Sequence, residues 1–344
     1  MRLRVGVIGL GPAWQHRHRP ALMMMRDRFQ VQAIYAPVAH LASQAARDFE
    51  AKTVDGYRAL IHRSDIDAII VLDSSWQGWL PLTAACEAGK AVYWASDLDI
   101  DARRAAELKD QIDHSGIAFM AEFPRRYAPA TLRLKELLAT KLGKPKLIFC
   151  HRRLSPAVSG KHNVPAGIPV HQERATRELV EIVDWCRYVV GDNPTHITSN
   201  VYGNPENEVY RQMSLRFGSS ATSICAQISC GQYVPASWHE AIGFRPSADM
   251  QICCEHGLAF IDLPSSLVWF DEAGRHVESL ETELPVGEQL LIQFHRSVTS
   301  LVRKMANLED AYYALQIIRC AKQSSQTGQR VSLADLFQTD STYA

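Results

Sequence analysis

The stretch Val5-Gly-Val-Ile-Gly-Leu-Gly-Pro-Ala-Trp14 decides the fold of this chain. Branched apolar residues over positions 3–8 predict a buried strand, and Gly9 and Gly11 then supply a tight turn before a helical pattern that begins near Pro12. Such a turn directs backbone N–H groups at an anion, and the missing Cβ of Gly11 lets a pyrophosphate approach closely. The pattern predicts a Rossmann-type domain whose dinucleotide contacts are Gly9, Gly11, Pro12, Ala13 and Trp14.

Trp14 stands where the G-x-G-x-x-G pattern has its third glycine, the residue that allows close packing of helix on strand. Two interpretations are open. In the first, the turn retains a dinucleotide beside a bulky side chain. In the second, the turn is only structural, and Trp14 fills the space where a cofactor would lie.

Composition bounds the function classes. With 37 basic and 37 acidic residues among 344, the charge is balanced, and no basic stripe interleaved with aromatic residues points to nucleic acid. Eight cysteines without a C-x-x-C pair predict reduced thiols, and the histidines show no metal-ligand spacing. The first predicted strand starts near Met1 and no apolar run approaches membrane-spanning length, so we expect a cytoplasmic protein without a membrane segment.

The second predicted strand, residues 31–35, ends where a Rossmann domain normally has an acidic residue that bonds the adenosine ribose. Here that position is Ala36, followed by Pro37. Loss of the carboxylate weakens NAD recognition and removes repulsion of a ribose 2′-phosphate, yet no arginine replaces it. NAD and NADP are therefore both open as cofactors, and so is the absence of any cofactor.

Strands and helices alternate as far as residue 121, which predicts right-handed crossovers and a parallel sheet. We therefore assign residues 1–122 to a doubly wound dinucleotide-binding domain. From residue 123 to 344 the pattern changes to consecutive alternating runs, typical of a large, open, mostly antiparallel sheet with helices. The predicted fold class is α/β, with a Rossmann domain and a C-terminal α+β domain. The open sheet needs cover from the helix predicted at 176–190 or from another subunit.

Several motifs along nearly the whole chain resemble the Gfo/Idh/MocA family of sugar and cyclitol oxidoreductases. They are Val7-Ile-Gly-Leu-Gly11, Asp65-Ile-Asp-Ala-Ile69, Cys86-Glu-Ala-Gly-Lys-Ala-Val92, Arg126-Tyr-Ala-Pro129, and the end of the chain from Leu308-Glu-Asp-Ala to Ser324-Ser-Gln-Thr-Gly-Gln-Arg-Val331. The resemblance implies a Rossmann domain, a C-terminal domain with an open sheet whose face forms dimers or tetramers, and hydride transfer between a sugar-like alcohol and NAD(P).

The chemical residues of the family are where this chain differs. A Thr-Pro pair with a following His becomes Asp73-Ser74 and Gly78, and a Glu-Lys-Pro whose Lys positions the substrate becomes Ala95-Ser96-Asp97. On the helix at 176–190, the family's Asp and His fall on Arg177 and Glu181, and only a further Asp is present, as Asp184. The remaining predicted cofactor contacts are Ala36, Asp73, Ser74 and Ser96.

Carbinol oxidation needs a base within hydrogen-bond reach of the hydroxyl. The candidates are Glu181, Asp97 and Asp184, whereas Arg177 stays protonated and would clamp a carboxylate or phosphate. The alternative is that Arg177 and Glu181 form an ordinary i,i+4 ion pair. A stretch predicted to be rich in loops holds further candidates for an anionic ligand, otherwise solvated charges: His151, Arg152, Arg153, Lys161, His162 and His171.

Two functions follow. The first is an active NAD(P)-dependent oxidoreductase of a sugar, cyclitol or polyol, in which another residue has replaced the usual Lys and His. The second is a non-catalytic member of the same fold that binds a ligand or pairs with an active paralogue. A lyase or hydrolase that keeps a bound dinucleotide for internal redox cycling is a third, less favoured class. In each case we expect a homo-oligomer or hetero-oligomer through the C-terminal sheet.

Overall fold

Ten α-helices and fifteen strands lie in the part of the chain that the computed structural model describes, residues 1–96, 102–155, 170–204, 207–218, 223–300 and 308–336. The helices are α1 Arg19–Met24, α2 Ala39–Phe49, α3 Tyr57–Ile61, α4 Leu80–Glu87, α5 Ala102–Ser115, α6 Pro129–Leu137, α7 Val170–Val190, α8 His239–Gly243, α9 Val286–Thr299 and α10 Leu308–Thr327. The strands are β1 Leu3–Ile8, β2 Phe29–Tyr35, β3 Lys52–Thr53, β4 Ala68–Val71, β5 Ala91–Trp94, β6 Phe119–Ala121, β7 Pro145–Arg153, β8 Pro194–Asn204, β9 Asn207–Phe217, β10 Ile224–Gly231, β11 Met250–Cys254, β12 Leu258–Asp262, β13 Ser266–Asp271, β14 Gly274–Ser279 and β15 Val331–Ser332.

The chain forms two units. The first comprises residues 1–124 and 284–312, and the second comprises residues 125–283 and 313–344. In the first unit, six parallel strands lie in the order β3-β2-β1-β4-β5-β6. The strand order reverses direction between β1 and β4, and the carboxyl edge at such a switch point is where ligands bind in open α/β sheets. The predicted doubly wound parallel sheet is confirmed.

Helix α9 packs with the first unit although it lies far along the chain. Its Phe294 stacks on Phe29 of β2 with ring centroids 6.5 Å apart, and meets Tyr93 of β5 edge to face at 5.5 Å. The predicted boundary placed this helix in the C-terminal domain, because no local pattern signals that a helix returns to the first sheet. Burial of its apolar face against β2 and β5 gives the structural reason for the difference.

The second unit is organised around a nine-stranded sheet in the order β14-β13-β12-β11-β7-β10-β9-β8-β15. The pair of β7 and β10 is parallel and the other neighbouring pairs are antiparallel, which confirms the mostly antiparallel prediction. Alternation along the strands buries one face of the sheet; Ile148, Leu215 and Ala226 are wholly buried on it. Helix α7 packs on that face through Leu179, Ile182, Val183 and Cys186, the stripe that its periodicity predicts.

The two halves of the opposite face of this sheet carry different kinds of side chain. Apolar side chains lie on its β7 and β11–β14 half, including Leu147, Phe270 and Val277, of which Val277 is 63% exposed. Polar and basic side chains lie on its β8–β10 half. Within the described ranges, no helix combines the length and apolar character needed to cross a bilayer.

Candidate active site

The turn after β1 has the backbone geometry that its sequence predicts. Gly9 and Gly11 adopt φ angles of +70° and +58°, in the left-handed region that favours glycine. A Cβ at Gly9 would lie 2.3 Å from the carbonyl oxygen of Asp73, and one at Gly11 would lie 2.5 Å from that of Leu72. The two glycines therefore let the β1 turn lie directly against the backbone that leaves β4.

Trp14 does not lie in this turn's crevice. It begins a π-helical turn, Trp14–His18, that leads into α1, and its indole is 4% exposed with its ring centroid 6.0 Å from that of Phe49 on α2. The ring is packed in the helical layer, so it does not block an anion at the turn, where Pro12 is exposed and Ala13 half-buried. The two glycines fit the close approach of a dinucleotide pyrophosphate, and the packing of Trp14 on Phe49 favours the interpretation in which the turn retains one.

Two serines join the carboxyl ends of β4 and β5. Both the backbone N–H and the hydroxyl of Ser74 donate to Ser96 Oγ, each at 3.0 Å. Because Ser96 Oγ accepts both bonds, its own proton is directed elsewhere, and Ser96 is half-buried. Asp73 accepts from the backbone N–H of Ser75 at 3.0 Å and from its hydroxyl, so its carboxylate closes a local turn. Ser96 is thus the hydroxyl at this edge best suited to a ligand.

At the end of β2, Ala36 is buried and offers no side-chain hydrogen bond. The neighbouring Tyr35 hydroxyl accepts from the Gln77 amide at 3.0 Å. His40 is exposed on α2. The residue that follows β2 therefore presents no carboxylate to a ribose hydroxyl. Asp97, proposed from sequence as a base, lies outside the described residues.

The tryptophans near Gly78 differ from each other in surroundings. Trp79 is buried and stacks on Trp94 of β5, with ring centroids 4.6 Å apart and planes 8° from parallel. Trp76 is 62% exposed. Trp79 is therefore a packing residue.

A buried polar cluster that the sequence did not reveal lies beside these strand ends. Glu122 follows β6, and its carboxylate accepts from the Tyr93 hydroxyl at 2.7 Å, bonds His18 Nε2 at 2.6 Å and pairs with Arg17. Burial opposes ionisation of Glu122, but His18, Arg17 and Tyr93 outweigh it and lower its pKa to about 2. His18 Nδ1 is buried without a hydrogen-bond partner in the described structure.

This cluster predicts a pH dependence of stability. Since the pKa of Glu122 falls from 4.5 unfolded to about 2 folded, its contribution is complete above pH 4.5 and is lost as the pH falls toward 2. This pKa difference between the unfolded and folded states corresponds to about 3 kcal/mol in the free energy of unfolding. Urea unfolding measures the free energy of unfolding of the parent protein and of Glu122→Gln. The difference between the two should shrink by more than half when the pH is lowered from 5.5 to 3. A difference in the free energy of unfolding that does not change with pH would contradict the lowered pKa of Glu122.

In the second unit, acidic side chains on the polar face of α7 contact Arg125. Its guanidinium, 10% exposed, donates to Glu178 Oε2 at 2.6 Å and lies 3.4 Å from Glu181 Oε2. Burial lowers the pKa of Arg125, but Glu181 and Glu178 more than compensate, so the net shift is upward and the group stays charged. Arg177 Nε lies 3.7 Å from Glu181 Oε1, the i,i+4 ion pair weighed from the sequence. Glu181 is about a fifth exposed between two cations, which favours its carboxylate form.

Asp184 differs sharply from Glu181. It is completely buried, and Arg126 donates a hydrogen bond to each of its carboxylate oxygens. Arg126 Nε donates to Oδ2 at 2.7 Å, and Nη2 donates to Oδ1. Arg187 Nη1 lies 3.8 Å from the same Oδ1. Arg126 itself lies over the Tyr188 ring at 5.2 Å. The arrangement is a bidentate internal ion pair.

The predicted anionic-ligand stretch is split between two faces. Residues 151–153 are the end of β7, not a loop, so alternate side chains point to opposite sides. Arg152 reaches Glu178 at 3.8 Å and Asp249 at 3.3 Å, whereas His151 bonds Ser229 and Tyr233 on the open face. Arg153 donates to the carbonyls of Ala241 and Phe244. The stretch is therefore not one cluster, and Lys161, His162 and the His171 side chain lie outside the described residues.

Sequence reasoning missed Arg125, Glu178, Glu122 and His18. The only available signal was Arg126-Tyr-Ala-Pro129, which carried the family resemblance without indicating that the arginines before it pair with α7. Long-range pairs of this kind have no local sequence pattern.

Residues 3–121 match the model of the Gfo/Idh/MocA oxidoreductase family, described as an NAD-binding Rossmann fold. This part of the chain is therefore similar to the Gfo/Idh/MocA family. Among curated relatives, inositol 2-dehydrogenase of Paracoccus denitrificans is 27% identical over 196 residues, and inositol 2-dehydrogenase/D-chiro-inositol 3-dehydrogenase of Shouchella clausii is 27% identical over 202 residues. These alignments cover 56% and 57% of this chain and 56% of each relative, so the chain spans about half the length of the curated relatives it matches.

Solved structures extend the likeness of fold beyond residues 3–121. An oxidoreductase of Thermotoga maritima superposes with a TM-score of 0.78 at 16% identity, covering 98% of this chain and 100% of that one. Aldose-aldose oxidoreductase of Caulobacter crescentus gives 0.80 at 12% identity, covering 97% and 100%. At these identities the likeness establishes the fold.

Proposed function

We propose that this protein is an NAD(P)-dependent oxidoreductase that interconverts an alcohol and a carbonyl on a sugar, cyclitol or related polyol. The observation that carries the proposal is the Gly9–Gly11 turn at the switch point of a parallel sheet, in a domain that matches the Gfo/Idh/MocA family model. The names of the curated relatives, inositol dehydrogenases, support the polyol class.

The first unit would hold the cofactor. Gly9, Gly11 and Ala13 would contact the pyrophosphate through their backbone, and Ser96 would donate its hydroxyl proton to a ligand at the carboxyl edge of β5. The bound nicotinamide supplies the hydride acceptor or donor. Ala36 presents neither a carboxylate nor a cation to the adenosine ribose, so both NAD and NADP are proposed.

Glu181 would serve as the base. Its carboxylate is partly exposed and lies at ion-pair distance from Arg125 and Arg177, so a substrate hydroxyl could reach it and give up its proton there. Arg177, 40% exposed, would orient an anionic or hydroxyl group of the substrate. We propose that Asp184 is a structural partner of Arg126, because a base needs a reachable oxygen. Asp97 is retained as a second candidate.

The apolar half of the open sheet face would form the subunit contact, in a homo-oligomer or a hetero-oligomer. Exposed apolar side chains on neighbouring strands, Leu147, Phe270 and Val277, suit a partner that excludes water. Eight unpaired cysteines suit the reducing cytoplasm, which we propose as the location.

The test is calorimetric titration with NAD⁺, NADH, NADP⁺ and NADPH, with thermal melting as the second readout. A cofactor at a hundred times its Kd should add about 2.7 kcal/mol and raise Tm by several degrees. A Gly11→Ala variant should lose binding, and Gly89→Ala is the matched control, since Gly89 also has a positive φ but open space around its Cβ position. Failure of all four nucleotides to bind at millimolar concentration would overturn the proposal.

A second candidate is a non-catalytic member of the fold that binds a ligand or pairs with an active paralogue. The ion pairs that Glu181 makes with Arg125 and Arg177 favour it, because they also serve a purely structural role. Cofactor binding without turnover across a polyol panel, together with co-purification of an intact paralogue, would support this candidate.

A further inference from the structure

A cleft of about 420 Å³ opens on the sheet of the second unit, away from the polar face of α7. It lies over the neighbouring strands β8, β9 and β10 on the side opposite the buried face. Three basic side chains and three hydroxyl groups line it: His196, Arg216, Arg330, Thr198, Ser214 and Ser223. None of the residues that line it is an aspartate or glutamate.

The strand register brings the basic groups together. His196 of β8 is paired with Arg216 of β9, and Arg330 immediately precedes β15, which pairs with β8 at His196. Arg216 Nε donates to Ser223 Oγ at 2.9 Å, which fixes the plane of its guanidinium. Arg330 is exposed, and no acceptor contacts it within the described part of the chain. Among the described residues, the lining of the cleft therefore concentrates positive charge and includes no carboxylate.

The hydrogen bonds of His196 indicate which ring nitrogen faces a ligand. The Thr195 hydroxyl donates to the carbonyls of Arg216 and Gly218, both at 3.1 Å, so its oxygen accepts from His196 Nδ1 at 3.0 Å. In the neutral ring the other nitrogen, Nε2, then lacks a proton. Burial, together with Arg330 and Arg216, lowers the pKa of His196, because a further positive charge there is unfavourable.

We propose that this cleft binds a tetrahedral dianion of the phosphate type, as the free ion or on a small phosphorylated molecule. Guanidinium groups bind phosphate oxygens in a planar, bidentate manner, and hydroxyls complete the ligand shell. The volume exceeds that of the anion alone and lies in the range of small-molecule sites. A dianion would supply the missing negative charge and favour a proton on His196 Nε2.

Sulfate is the first probe, since its charge is constant between pH 6 and pH 8. Calorimetric titration with sulfate, at ionic strength held constant with sodium chloride, should give saturable binding that is tighter at pH 6. Arg330→Gln should weaken it about tenfold or more, the loss of a charge-assisted bond. Arg275→Gln, an exposed arginine on the same face outside the cleft, is the matched control and should bind as the parent does.

Among the described residues, the charged or titratable side chains that line the cleft with His196 are Arg216, Arg330 and Cys225. His196→Gln should therefore abolish the pH dependence of sulfate binding while retaining part of the affinity. Inorganic phosphate and glycerol 3-phosphate distinguish the source of the ligand. Tighter binding of glycerol 3-phosphate assigns a phosphorylated molecule, and equal binding assigns the free anion.

Thiol protection locates the site independently of affinity. Cys225 lines the cleft and Cys253 lies on β11 of the same face, both half-buried, so sulfate should slow alkylation of Cys225 by iodoacetamide and leave Cys253 unchanged. Equal sulfate affinity in Arg330→Gln and the parent, or no binding above the chloride control, would overturn the proposal. None of these residues belongs to the proposed cofactor or base positions, so the result is separable from the oxidoreductase test.

Discussion

Replacement of Glu181 by glutamine is expected to lower kcat by about 100- to 10,000-fold, the usual contribution of a positioned base. Glutamine keeps the shape and the hydrogen-bonding capacity of the side chain near Arg125 and Arg177, but it cannot accept a proton from a carbinol. Cofactor affinity should be unchanged. The measurement is initial-rate kinetics with the best substrate from a polyol panel, together with nucleotide titration of the same preparation.

Glu178→Gln is the matched control for this prediction. Glu178 also pairs with Arg125, and its side chain is 21% exposed, against 22% for Glu181. The control removes the same charge from the same guanidinium without touching the proposed base, so kcat should change far less. Equal losses in the two variants would assign the effect to Arg125, and full activity of Glu181→Gln would exclude Glu181 as the base.

Arg126→Ala is expected to lower the free energy of unfolding of the second unit by about 3–5 kcal/mol, because it leaves a buried carboxylate without its main partner. Asp184 is completely buried, and Arg187, at 3.8 Å, is too distant to replace both hydrogen bonds of Arg126. Urea denaturation followed by circular dichroism measures the loss.

Arg152→Ala is the control, since Arg152 is 44% exposed and its pairs with Glu178 and Asp249 are longer. Exposed pairs contribute about 0–1 kcal/mol, so this variant should remain near the parent. The double variant Arg126→Met with Asp184→Leu should recover much of the loss, because the uncompensated charge is removed. A loss in Arg126→Ala no greater than that in Arg152→Ala would show that the pair does not stabilise the unit.

Helix α7 shows how far sequence periodicity reaches. The apolar spacing of Leu179, Ile182 and Val183 predicted the packed face, and all three are buried. Glu181 and Asp184 are three residues apart and so lie on the same side of the helix, yet Glu181 is partly exposed and Asp184 is enclosed with Arg126. The spacing of residues along a helix determines on which side of the helix each one lies. Burial of the Asp184 charge depends instead on Arg126, which is 58 residues away in the chain.

The β7 segment shows that the sequence can also mislead about the type of secondary structure. The run of His151, Arg152 and Arg153 was interpreted as one charged stretch because its Gly- and Pro-containing surroundings resembled a loop. As a strand, it sends Arg152 to one face and its neighbours to the other. The pairing of these residues with β10 decided this, and such a pairing is not encoded in the run itself.

The sequence by itself determined the two-part architecture, the parallel order of the first sheet and the glycine turn at its switch point, because each depends on periodicity or on a backbone angle that only glycine readily adopts. Tertiary structure alone decided that Trp14 packs on Phe49, that Glu122 is ionised beside His18, and that basic groups from β8, β9 and the segment before β15 form one cleft. These features arise from contacts between residues far apart in the chain, where burial and charge pairing act without any local sequence pattern.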